Sequence, residues 1–219
     1  MNKTIIISSI LLLTACNEIP YSTITNNPVP IEDKSAPSPT TPPITPPIVD
    51  LGTGGLKVVI HESNNFSNTD LERLEQARVI LENVLNTEEF KQKVLHFTYL
   101  GEETFVQNNG YSNLEVYNLI MAGAEQYPKQ TPVNHLMDLY TELYYGSSGV
   151  IGYTNPSVPT IYMNNYYFSD YTPGEIAGNL IHEWLHKLGF DHDYNSTARR
   201  PYTVPYAIGY IIDDLTSKL

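Results

Sequence analysis

Between residues 182 and 192 the chain reads His182-Glu183-Trp184-Leu185-His186-Lys187-Leu188-Gly189-Phe190-Asp191-His192. No other stretch constrains the fold as strongly. Thr172-Pro173-Gly174-Glu175 lies ten residues upstream, with Thr at an N-cap, Pro at the first helical position and Glu where it closes a capping box. A helix is therefore expected from 173 to 188, with Ile176, Leu180, Ile181, Trp184, Leu185 and Leu188 facing a core. On it His182 and His186 stand four apart, on one face and about 6 Å apart along the axis. Glu183 is turned about 100° from His182, which brings its carboxylate beside the two imidazoles without aiming it between them. Gly189 suits a left-handed helix end. The bend allows His192 to swing back toward the other two. Three imidazoles and a carboxylate in eleven residues fit a catalytic zinc site, which takes three protein ligands and leaves a fourth position open.

The rest of the chain places this helix in a mixed α/β (α+β) domain. Strands are expected at 56–60, 135–145 and 160–164, with a turn or loop from Gly146 to Gly149. Thr69-x-x-Glu72 matches a capping box, and Leu71, Leu74, Ile80, Leu81, Val84 and Leu85 follow at helical spacing, which predicts a helix over 70–85. A shorter helix is expected at 88–96. Another opens at the Ser112-x-x-Glu115 box, with Pro128 as its stop. A final helix is expected near 205–217. His61, His96 and His135 have no partner pattern and read as ordinary structural or surface residues.

The first fifty residues read differently. Lys3 followed by the apolar run Ile5–Leu13 forms an export signal over 1–15, since the run is about half the length of a membrane-spanning helix. Leu13-Thr14-Ala15-Cys16 resembles the lipobox of bacterial lipoproteins, which implies lipid on Cys16, the one cysteine of the chain. Residues 17–50 hold nine of the 16 prolines. Segment 16–50 is thus expected to be a lipidated cysteine and a tether reaching up to roughly 100 Å. The folded domain is expected at 51–219. With 24 acidic against 12 basic residues and a net charge of −12, nucleic acid is excluded as a partner. The expectation is an exported monomer, lipid-anchored to a bacterial membrane, at the outer membrane or cell surface.

The stretch 182–192 resembles the signature of the metzincin zinc peptidases, HExxHxxGxxH, at every specified position: His182, Glu183, His186, Gly189 and His192. The resemblance implies Zn²⁺ held by His182, His186 and His192. It also implies Glu183 as general base and acid, and peptide or protein substrates cut by a zinc-bound water. The implied architecture is an N-terminal subdomain to about 189, with a twisted sheet, a backing helix and the active-site helix. A small C-terminal subdomain over 190–219 follows. Asp193 follows the third histidine, as in the adamalysin-like branch. One departure stands out: metzincins carry a methionine downstream in a turn beneath the metal, and the last methionine here is Met163. Pro201–Tyr206 lies where that turn belongs, so Tyr202 or Tyr206 is expected to form the floor or to support the oxyanion. In the family the substrate lies along an edge strand before the active-site helix, for which Thr160, Ile161, Tyr162, Met163 and Asn164 are the candidates. Other zinc-peptidase plans fit less well. No Glu follows Glu183 to serve as a third ligand, and Asp191, Asp213 or Asp214 are not needed when His192 is in place. Two alternatives stay open: a zinc-binding surface lipoprotein without activity, and a hydrolase of peptidoglycan-peptide amides.

Overall fold

A computed structural model of the 219-residue chain describes residues 55–147 and 149–217. The export signal, Cys16 and the proline-rich segment lie outside the described residues. Among those described, no helix is long and apolar enough to cross a membrane.

The element order is β1 (Lys57–Asn64), α1 (Asn68–Leu85), α2 (Glu88–Leu95), α3 (Asn113–Ala122), β2 (Leu136–Tyr144), β3 (Gly152–Thr154), β4 (Thr160–Asn164), α4 (Asn165–Phe168), α5 (Pro173–Lys187), a 3-10 turn (Arg200–Tyr202) and α6 (Val204–Thr216). The four strands form one mixed sheet in the order β1-β2-β4-β3. β1, β2 and β4 run parallel, and β3 pairs antiparallel with β4. β2 shows why the sheet has an inner face: buried and half-buried residues alternate along its whole length, the period-2 pattern of a strand covered on one side. Met137, Leu139, Leu143, Ile161 and Met163 point inward. Leu74, Leu81 and Leu85 from α1 and Ile176, Leu180, Ile181 and Leu185 from α5 meet them in a single hydrophobic core. Burying each such side chain contributes about 1.5–3 kcal/mol. α1 packs on β1, α5 on β3 and β4, and the two helices on each other. α6 returns to lie along α5, adding Val204, Ile208, Ile211 and Ile212 to the same core.

Four expectations need correction. First, Thr160–Asn164 is not an edge. It lies between β2 and β3, with Met163 opposite Gly152, Tyr162 opposite Tyr153 and Ile161 opposite Thr154. β3, only three residues long, is the edge on that side. Its Tyr153 ring stacks on that of Tyr162 at 4.7 Å and 14°, a cross-strand pair of the kind that stabilises a sheet. Second, α1 begins earlier than Thr69 predicts: the box is Ser67 with Asp70, with both reciprocal bonds formed. Third, α3 stops at Ala122, well before Pro128. Gly123 takes a left-handed conformation, φ 59°, and a Cβ there would sit 2.1 Å from the Leu136 carbonyl oxygen, so the chain turns where only glycine fits. Fourth, β1 runs on to Asn64, past a register shift between Ile60 and Glu62. The boxes Ser112/Glu115 and Thr172/Glu175 form as expected.

Candidate metal centre

The site is built on the C-terminal half of α5, where every residue from Leu180 to Lys187 is buried. Gly189, at φ 89°, ends the helix; its N–H donates to the His186 carbonyl and that of Phe190 to the Leu185 carbonyl. The chain then doubles back, and His192 joins the two helical histidines. Ring centroids are 5.3 Å apart for His182–His186, 5.2 Å for His182–His192 and 4.9 Å for His186–His192. One nitrogen from each lies within 4.8 Å of the others, and all three residues are buried. Three buried histidines that can hold a metal ion therefore come together from a stretch of eleven residues.

Each imidazole is oriented by a main-chain group. His186 Nδ1 donates to the Phe190 carbonyl at 2.8 Å, and His192 Nδ1 to the Asp193 carbonyl at 3.1 Å. His182 is hydrogen-bonded to the backbone of Pro205. A ring that donates through one nitrogen presents the lone pair of the other, which is how proteins set the tautomer of a metal-binding histidine. His186 Nε2 is buried with no hydrogen-bond partner among the described residues, a costly condition unless the nitrogen has a ligand. Burial first, then the neighbouring imidazoles, holds His182 well below the ordinary histidine range. Burial, then the nearby His192, brings His186 down to about 4. Burial also lowers His192. All three are thus neutral at pH 7, as metal ligands must be.

Glu183 is fully buried, one residue from His182. Its field reaches two other groups. Tyr144 is pushed up to about 12, by burial, then Tyr153, then Glu183. Lys187, one helical turn on, is brought down to about 8 by burial, with Glu183 opposing. Lys187 Nζ also donates to the carbonyls of Val158 at 2.6 Å and Asn155 at 3.1 Å. It therefore ties the helix carrying the histidines to the loop between β3 and β4.

The two candidate tyrosines part company. Tyr206, on the first turn of α6, stands with its ring 4.6 Å from His182 and 4.9 Å from His192, packed against two of the three imidazoles. Tyr202 points elsewhere, its ring against Tyr99 at 5.0 Å and Phe97 at 6.3 Å. Asp193 sets the loop around the third histidine: its carboxylate accepts from Arg199 Nε and Nη2, from the Thr197 hydroxyl and from Gln107. The remaining histidines serve other places. His61 stacks on Tyr140 and bonds Asp138, His96 bonds Glu103, and His135 bonds the Met121 carbonyl.

Sequence reasoning missed Lys187, Arg200 and Glu125. A signal existed for Lys187, a basic residue one turn after Glu183 on the same helix. Glu125 is buried and accepts from Trp184 Nε1 at 2.7 Å, from the Asp138 N–H and from the Thr131 hydroxyl. It fixes α5 to the start of β2 from a loop that carries no motif. Compared with protein families, curated proteins and solved structures, the chain matches none.

Proposed function

We propose that this protein is a zinc-dependent endopeptidase of metzincin-like plan, in which His182, His186 and His192 hold the metal. The observation that carries the reading is the convergence of three buried, neutral imidazoles, each with its second nitrogen engaged by a backbone carbonyl, next to the buried carboxylate of Glu183. The donor set suits the ion: nitrogen ligands only, three in number, as in catalytic zinc sites. Zinc, when bound, supplies a Lewis acid for the scissile carbonyl and a water acidified to about pKa 7. Glu183 accepts the proton of the attacking water and delivers it to the leaving amine. Tyr206 supports the imidazoles from below. The packing of α1 on β1 and of α5 on β3 and β4 supports the reading of α1 as a backing helix and α5 as the active-site helix. The free edge nearest α5 is β3, so an extended substrate would pair there by strand addition rather than along Thr160–Asn164. Export, lipidation at Cys16 and attachment to a membrane belong to the same proposal.

The test compares wild type with Glu183→Gln for metal content and for cleavage of an unstructured protein such as casein, followed by mass spectrometry of the products. We expect one zinc per chain in both. Cleavage within peptide bonds should fall on the order of 10²–10⁴-fold in the variant. An unaltered rate would refute the role of Glu183, and metal-free wild type grown with ample zinc would refute the site. Products cut only from peptidoglycan would replace the substrate class.

A further inference from the structure

The edge strand β3 has three residues, and so short a ladder with β4 gives it little hold of its own. One side chain fixes its approach. Asn164, the last residue of β4, is 1 % exposed. Its Oδ1 accepts from the Gly146 N–H at 3.3 Å and from the Tyr166 N–H at 3.1 Å. Its Nδ2 donates to the Ser147 carbonyl at 2.9 Å and to the Val150 carbonyl at 2.8 Å. The Asn164 main-chain N–H donates to the Ile151 carbonyl at 2.9 Å, one residue before β3 begins. A carboxamide has two donors and two acceptor sites, and here all four side-chain sites are used.

Capping of α4 accounts for the bond from Tyr166 alone, and Ser, Thr or Asp would cap as well. The other three side-chain bonds run to the backbone between β2 and β3, where both donors and an acceptor are needed at once. Neighbouring groups reinforce them: the Tyr167 hydroxyl accepts from the Gly149 N–H, and the Tyr144 hydroxyl donates to the Val150 carbonyl. At the far end of β3 the Thr154 hydroxyl donates to the Thr160 carbonyl, and Lys187 holds the Asn155 and Val158 carbonyls. β3 is thus pinned at both ends, while its outer side pairs with no strand among the described residues. An edge held in this way is pre-organised for strand addition, because a partner need not order it on binding.

We propose that Asn164 is a positioning residue for substrate: it fixes the segment entering β3 and so sets the edge on which an extended peptide docks. The proposal rests on the peptidase reading for its substrate, and adds to it a residue that belongs neither to α5 nor to the bend after it. Releasing the clamp loosens the docking edge and leaves Glu183 and the three histidines on their own elements, so binding suffers and the chemical step does not.

Two variants of the full-length protein release the clamp differently. Asn164→Ser keeps a cap for α4 and loses both amide donors. Gly146→Ala leaves Asn164 in the chain, but its Cβ would lie 2.7 Å from Tyr144 Cε2 and 3.0 and 3.1 Å from Asn164 Nδ2 and Oδ1. Gly146 is exposed, so this variant decides the matter even where Asn164→Ser fails to fold. In zinc-loaded protein each should raise KM for an unstructured casein peptide about tenfold with kcat unchanged. In a Glu183→Gln background each should weaken binding of the same peptide, fluorescein-labelled and followed by anisotropy, by the same factor. A merely structural role would lower kcat with the folded fraction and leave KM alone, and that outcome overturns the proposal. The binding arm needs no turnover. A peptide that binds, loosens in both variants and is never cut sinks the peptidase reading alone. One that both variants cut with wild-type KM sinks this proposal alone, and one that neither binds nor is cut overturns both.

Discussion

Moving the metal-free protein from pH 7.5 to pH 5.0 should remove about 2 kcal/mol of folding stability through His186 alone. Burial and His192 bring its folded value down to about 4, against about 6.5 in an unfolded chain. The sign follows from which state takes the proton. Below about pH 6.5 the unfolded chain binds a proton that the folded chain refuses until about pH 4, so the His186 contribution is complete above that window and is lost as the pH falls through it. At pH 5.0 the unfolded imidazole is almost wholly charged and the folded one roughly a tenth charged, and the ratio of those binding terms yields the figure. His182 and His192 are depressed in the same direction, so the three, titrating as a set, should exceed it. Glu75, Glu115 and Asp193 are also held low, by Arg78, Ser112 and Arg199 respectively. Their contributions persist above the ordinary carboxylate range and fade only as the pH drops below it, so stopping at pH 5.0 keeps them small. Urea unfolding in EDTA, followed by fluorescence of Trp184, the one tryptophan, gives the free energy at each pH. Equal free energies at pH 7.5 and 5.0, with equal slopes in urea, would show that the imidazoles are not buried neutral and so are not held ready for a metal.

Other consequences can be measured separately. Gly189→Ala forces a left-handed φ on a residue with a Cβ, at about 1–2 kcal/mol; since the bend sits between His186 and His192, zinc affinity by competition with a chelator should fall too, and unchanged affinity would detach the turn from the site. Lys187→Met leaves the Asn155 and Val158 carbonyls without their donor; the loop between β3 and β4 should become a new cleavage site in limited proteolysis by trypsin-free proteases, and an unchanged digest would discount the tie. Trp184→Phe deletes the bond to the buried Glu125 carboxylate, and a loss of about 1.5–3 kcal/mol in urea unfolding is expected; a loss under 0.5 kcal/mol would mean the bond has little net value. Tyr206→Leu should broaden the visible spectrum of a cobalt-substituted protein more than Tyr202→Leu, and the reverse order would move the floor to Tyr202.

What could be read in advance depended on how local the determinants were. The three histidines lie within eleven residues, so helical spacing and one glycine suffice to bring them together. α5 was legible for the same reason, its cap, proline and apolar face all lying in fifteen residues. The order of strands is set by contacts between segments far apart, and nothing near Thr160–Asn164 reveals that Gly152–Thr154 folds back over it. A three-residue strand has no period to detect. Thr69-x-x-Glu72 and Ser67-x-x-Asp70 satisfy the same pattern, and the earlier one prevails because it completes both reciprocal bonds. Tyr202 and Tyr206 were indistinguishable until the phase of α6 was known. Arg200 looked like any surface arginine, since burial of a charge leaves no mark in its neighbours' sequence.

The attachment of His182 to Pro205 has a consequence for how the centre is assembled. Two of the three rings take their orientation from carbonyls at positions 190 and 193, so a short fragment around the bend already contains both ring and anchor. The third ring depends on a carbonyl twenty-three positions downstream, which arrives only when the last helix docks. A chain truncated before residue 200 would thus own every donor yet aim just two of them, and full affinity for the ion would be a report that the C-terminus is home.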